Sequence, residues 1–123
     1  MLIALLSDTH DNVRATRAAV DVLSARKPAA WLHAGDLVHP AMLEHFTGLP
    51  AGSFHYVFGN NEDDLADLFQ RAAELQLTCH GRFADLTLAG KRVALIHGHD
   101  RPLVDRLIFS RKYDYLIHGH THA

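Results

Sequence analysis

The sequence predicts an α/β fold built on a largely parallel sheet, and three features of the chain predict it. Short apolar runs recur along its length, most of them stop at a cluster of polar turn formers, and segments of helical periodicity separate the first few. A continuous apolar run bounded by polar residues is what a strand covered on both faces requires, and in open α/β sheets ligands gather beyond the carboxyl ends of such strands.

The opening stretch, MLIALLSDTHDN, shows the pattern: Leu2, Ile3, Ala4, Leu5 and Leu6 form a strand that runs straight into Ser7-Asp8-Thr9-His10. Asp8 and His10 are two residues apart, so an extended backbone points them the same way. An oxygen donor and an imidazole at that spacing can hold one metal ion. Asp11 is expected to cap a helix over 12–27, with Val13, Thr16, Ala19, Val20 and Leu23 inward and Pro28 closing it.

The pattern then repeats. A second strand over 29–33 leads to Ala34-Gly35-Asp36, and a short helix is expected over 41–47. A third strand over 54–58 ends in Gly59-Asn60-Asn61-Glu62-Asp63, followed by a helix over 63–74 with Leu65, Leu68, Phe69 and Ala72 as its inner stripe. From 77 to 96 the texture is that of antiparallel strands added to the same sheet, over 77–80, 83–88 and 93–96, with a turn at 89–91. The last of these delivers His97-Gly98-His99-Asp100. Pro102 opens a helix reaching 112, and a final strand over 115–117 empties into His118-Gly119-His120-Thr121-His122.

A chain of 123 residues is expected to form one domain. Its hydrophobic fraction of 48%, charged fraction of 21% and formal charge of −2 are ordinary for a soluble globular protein. They give no electrostatic case for a nucleic-acid or membrane partner, so nucleic acid is unsupported as a stable partner. The opening strand has no basic segment before it and is too short for a bilayer, which together with the single cysteine, Cys79, points to a cytoplasmic setting. Cys79 itself reads as a small buried hydrophobe.

Eleven histidines are too many for background in so short a chain, and their placement decides their meaning. Each polar cluster alone is a weak signal. Together and in order, Asp8, His10, Asp36, Asn60, His97, His120 and His122 supply donors for two divalent ions with one bridging carboxylate.

This series of D-x-H, G-D, G-N, H-G-H and G-H-T-H resembles the calcineurin-like metallophosphoesterase family, in particular its small single-domain prokaryotic phosphodiesterases, and spans Asp8 to His122. The resemblance implies the metallophosphoesterase-type mixed β-sheet sandwich flanked by helices, shortened at the C-terminus. It implies that Asp8, His10 and His122 hold a first metal, that Asn60, His97 and His120 hold a second, and that Asp36 bridges them. Manganese is the first choice of ion, with iron, nickel, cobalt and zinc as alternatives. Protein phosphatases of the superfamily carry an Asp-Arg pair after G-D and a G-N-H-E motif, whereas this chain has Gly35-Asp36-Leu37-Val38-His39-Pro40 and Gly59-Asn60-Asn61-Glu62, which argues against that branch.

The implied reaction is hydrolysis of small phosphodiesters, or of phosphomonoesters, by in-line attack of a metal-bridging hydroxide without a covalent intermediate. Two features depart from the family pattern. Asn61 stands where many members have a histidine, so it can bond a phosphate oxygen but not supply a proton. Acidic leaving groups are then favoured, unless His99 or a metal-bound water acts as the general acid. Family members also usually continue beyond the last motif, and an open strand edge here implies a homodimer or a partly disordered C-terminus.

The alternatives are a non-catalytic scaffold of the same fold, such as the metallophosphoesterase-like retromer subunit, and a histidine-rich metal-binding protein. Elsewhere the plain readings are preferred. Trp31 is core and Arg14 is a solvated helix residue; His118 is a histidine that packs or supports a ligand, and His33 reads the same way, with the alternative of orienting a ligand. His45, His55 and His80 are surface or packing residues without an assignable partner.

Overall fold

The computed structural model describes residues 2–7, 9–10, 12–36, 40–50, 52–59, 65–98 and 101–119. The first half alternates strands and helices: β1 (Ile3–Leu6), α1 (Val13–Ser24), β2 (Ala30–His33), a 3₁₀ helix (Pro40–Phe46), β3 (Phe54–Tyr56), α2 (Leu65–Glu74) and β4 (Thr78–Cys79). The second half comprises β5 (Phe83–Leu88), β6 (Lys91–Ile96), α3 (Arg101–Ser110) and β7 (Tyr115–His118).

The strands form two sheets. The first has the order β1-β2-β3-β4 with every pair parallel, and its register places Leu6, His33, Tyr56 and Cys79 side by side across the sheet. The second has the order β5-β6-β7, with β5 and β6 antiparallel and β7 parallel to β6. Residues 77–96 therefore do not extend one sheet with antiparallel strands: β4 is a parallel edge strand, and β5 and β6 found a second sheet. The β5–β6 turn is the two-residue kind expected of a hairpin, with Ala89 at φ 51° and Gly90 at φ 79° between the paired Leu88 and Lys91.

Side-chain alternation along the strands builds two cores. Trp31, Phe54 and Tyr56 face the helical layer and pack with Met42, Leu43, Phe46, Leu68 and Ala72. Leu32, Ala34 and Val57 face the other way and pack with Ala84, Leu86, Val93 and Leu95 of the second sheet. β2 is thus buried on both faces, which is why it reads as an unbroken apolar run. Each large side chain buried this way contributes roughly 1.5–3 kcal/mol relative to leaving it in water.

α1 and α3 end sooner than their periodicity suggested, at Ser24 and Ser110. Asn12, not Asp11, occupies the N-cap of α1, where its side chain accepts a hydrogen bond from the Ala15 amide at 3.0 Å. On α2 only Leu68 and Ala72 are buried, while Leu65 and Phe69 are exposed, so its inner stripe is narrower than expected. Cys79 is half-buried rather than buried. No helix among the described residues is long and apolar enough to cross a membrane. β1 and β7 are edge strands on the same side of the sandwich, and an apolar groove of about 310 Å³ opens between them, lined by Ile3, Leu5, Leu88, Val93, Tyr115 and Ile117.

Candidate metal centre

Because β1, β2 and β3 are parallel, their carboxyl ends bring 7, 9–10, 34–36 and 57–59 to one edge of the first sheet. The parallel pair β6 and β7 brings 97–98 and 119 to the matching edge of the second. A hydrogen bond joins the two edges: His97 Nδ1 donates to the Ala34 carbonyl at 2.7 Å. A carbonyl oxygen can only accept, so this contact places a hydrogen on Nδ1 and leaves Nε2 as the donor atom of the neutral ring.

That Nε2 lies 3.3 Å from Asp36 Oδ2, and both side chains are fully buried. His10 Nε2 approaches the same oxygen to 3.9 Å from the solvent side. Backbone geometry holds this arrangement, because the His10 amide donates to the Asp36 carbonyl at 2.9 Å. His10 and Asp36 are both in the left-handed region, at φ 52° and 61°, which is uncommon for residues with a side chain and persists only where the surroundings enforce it.

Two glycines make room for the close approach of these loops. A Cβ on Gly35, which is at φ +103°, would lie 2.8 Å from the Gly59 backbone and 2.8 Å from His97 Nδ1. A Cβ on Gly59 would lie 2.1 Å from Asp36 Oδ1. The glycines of the G-D and G-N motifs therefore serve the same carboxylate.

His33 links two of the loops at the candidate centre. It is fully buried, its ring meets Phe46 and Tyr56 edge-on, and its Nδ1 accepts the Gly35 amide at 3.1 Å. An amide can only donate, so the neutral ring carries its hydrogen on Nε2, which lies 2.9 Å from Thr9 Oγ1 and donates to it. One imidazole thus ties the loop before His10 to the loop before Asp36. His118 is exposed and so not packed, with Nδ1 donating to the Gly119 carbonyl at 3.0 Å.

Of the residues singled out in the sequence, the structure brings together His10, Asp36 and His97. Asp8, Asn60, Asn61, His99, His120 and His122 lie outside the described residues, as does His39. Among the described residues no three His, Cys, Asp or Glu side chains are grouped to hold a metal ion. A buried carboxylate facing two imidazole nitrogens is nonetheless a donor set that suits a divalent cation, since a buried charge needs compensation.

Sequence reasoning missed a second histidine arrangement. His55 Nδ1 and His80 Nε2 are 2.9 Å apart with their rings stacked at 29°, so each is the other's hydrogen-bond partner. Burial lowers the pKa of both, and at His55 the charge of His80 lowers it further. The signal was latent in strand pairing: His55 is opposite Thr78, and His80 follows two residues later on the same face.

Comparison with known proteins adds three findings. A family model described as the calcineurin-like phosphoesterase superfamily domain matches residues 1–123. Phosphodiesterase MJ0936 of Methanocaldococcus jannaschii is 27% identical over 123 residues, which cover 99% of this chain and 74% of that protein. A solved structure, described as that of a novel archaeal phosphodiesterase, superposes with a TM-score of 0.90 at 26% identity, covering 100% of this chain and 74% of that one. Zinc-complexed Vps29 from Entamoeba histolytica shares the fold with a TM-score of 0.69 at 22% identity, over 99% of this chain and 65% of that one.

Proposed function

The chain belongs to the calcineurin-like phosphoesterase superfamily, and from that premise we propose that it is a metal-dependent phosphodiesterase acting on small phosphodiesters. The observation that carries the reading is the convergence of His10 and His97 on one oxygen, Asp36 Oδ2, at 3.9 and 3.3 Å. In the proposed assignment His10 stands with Asp8 and His122 at one divalent ion, and His97 stands with Asn60 and His120 at a second. A carboxylate shared between the two must be approached by a ligand from each set. The likeness to Phosphodiesterase MJ0936 supports a diester over a monoester substrate.

The proposed donors are oxygens and imidazoles without a thiolate, a set that accommodates manganese, iron, nickel, cobalt or zinc, with manganese preferred on the resemblance. When bound, such ions polarise a phosphate and make a water acidic enough to attack near neutral pH. The chain's own residues supply rigidity: the Ala34 carbonyl orients the His97 ring, the His10 amide pins the Asp36 backbone, and His33 holds the two loops in register. Asn61 is assigned to a phosphate oxygen and His99 to protonation of the leaving group, which flattens the dependence of rate on the acidity of the departing alcohol; without that acid, esters of acidic alcohols turn over faster than alkyl esters.

Self-association belongs to the same reading. The edges of β1 and β7 and the apolar groove between them favour a second copy as the occupant, and light scattering on the purified protein tests this. A cytoplasmic setting, with Cys79 outside any disulfide among the described residues, completes it.

The test is hydrolysis of bis(p-nitrophenyl) phosphate and of p-nitrophenyl phosphate by metal-stripped protein, with and without added manganese. Manganese-restored hydrolysis that favours the diester is expected. Metal binding without hydrolysis of either ester would replace this reading with a non-catalytic scaffold.

A further inference from the structure

We propose that His55 and His80 form a two-imidazole site for a borderline divalent cation of the zinc, nickel or copper class, separate from the Asp36 centre. The two nitrogens that face each other, His55 Nδ1 on β3 and His80 Nε2 immediately after the parallel neighbour β4, are 2.9 Å apart. Two imidazole nitrogens bound to one tetrahedral ion at about 2.0–2.1 Å each are about 3.3 Å apart. The rings need to open by only a few tenths of an ångström to admit the ion.

The chemistry balances without loss of a proton. In the metal-free pair one ring donates an N–H to the other's lone pair. When an ion enters, that hydrogen moves to the outer nitrogen of its own ring, and both facing nitrogens become donors. Burial lowers the pKa of both rings, so near neutral pH they are available as neutral ligands. Both residues are half-buried, which leaves one side for water to complete the coordination.

The donor set also sets the selectivity. Two imidazoles with water favour copper, nickel and zinc over manganese. Manganese therefore reports on the Asp36 centre, whereas zinc can enter both sites. The site's position suggests its consequence: β4 is only two residues long and pairs with β3 through a short register, Thr78 opposite His55 and Cys79 opposite Tyr56. An ion held by His55 and His80 bridges these strands in the folded chain alone, and so stabilises it by mass action.

The experiment uses zinc on an Asp36→Asn background, which disables the proposed phosphoesterase centre so that failure of either idea is visible by itself. Zinc equivalents are counted by equilibrium dialysis for Asp36→Asn and for Asp36→Asn with His80→Gln, and the melting temperature of each is followed with and without zinc. The double variant is expected to bind one equivalent fewer and to lose most of the zinc-induced rise in melting temperature, while His80→Gln alone keeps manganese-dependent hydrolysis. Equal zinc equivalents and equal thermal shifts in the two proteins would overturn the proposal. Imidazole NMR on the unmutated chain decides the case in which His80→Gln does not fold: the His55 and His80 ring resonances are expected to move with zinc, and resonances that stay in place overturn it.

Discussion

His97 Nε2 lies 3.3 Å from Asp36 Oδ2, although His97 leaves β6 of one sheet and Asp36 follows β2 of the other. The candidate centre is therefore a property of the sandwich and not of either sheet. Whatever shifts the two sheets relative to each other shifts its donors.

Gly35 is the tightest point of that junction. Gly35→Ala puts a methyl group 2.8 Å from the Gly59 backbone and from His97 Nδ1, at a backbone φ of +103°. The strained conformation alone costs of order 1–3 kcal/mol. The urea midpoint is expected to fall, and manganese affinity with it. A variant with unchanged midpoint and affinity would show that the loops have slack the structure does not display.

His33 acts on the centre through its neighbours. His33→Phe keeps a ring against Phe46 and Tyr56 but removes the acceptor for the Gly35 amide and the donor to Thr9. Loss of such a supporting contact typically costs about 10–100-fold in metal affinity. Manganese titration should show a loss in that range, and His33→Gln, which can both donate and accept, should recover part of it. Equal affinities in all three proteins would reduce His33 to a packing residue.

Thr16 offers a gain in stability. Its Oγ1 is buried and, among the described residues, has no hydrogen-bond partner. Thr16→Val keeps the shape and removes the cost of burying the hydroxyl, which is about 1–3 kcal/mol. A rise in the urea midpoint is expected, and a fall would mean that the hydroxyl has a partner.

His55 and His80 make metal-free stability depend on pH. Burial lowers both pKa values below the ordinary 6.5, so the unfolded chain binds more protons than the folded one as pH drops through that range. Stability is full above the unfolded value and is lost as pH falls toward the lowered folded values. Urea midpoints between pH 8 and pH 5 should decline below about pH 6.5, and the decline should be shallower in a His55→Phe variant. Parallel curves would exclude this pair as the source.

Much of this was legible in the sequence, for physical reasons that differ by element. Ala30–His33 could be read because a strand buried on both faces leaves a continuous apolar run, and Asp36 could be placed because it follows the carboxyl end of that run. β4 could not be oriented, since two residues carry no periodicity and its parallel partner β3 is over twenty residues away in the chain. The role of His33 and the pairing of His55 with His80 depend on contacts 24 and 25 residues apart in sequence, which only strand register reveals. The cap of α1 was missed by one residue because Asp11 and Asn12 are chemically equivalent N-caps.

The most direct measurement compares the wild-type chain with Asp36→Asn, each stripped of metal and given manganese, in the hydrolysis of bis(p-nitrophenyl) phosphate. The account predicts manganese-dependent turnover in the wild type and loss of turnover to background in the variant, with circular dichroism unchanged. Equal turnover in the two proteins would contradict it, because Asp36 would then not be the carboxylate around which the centre is built.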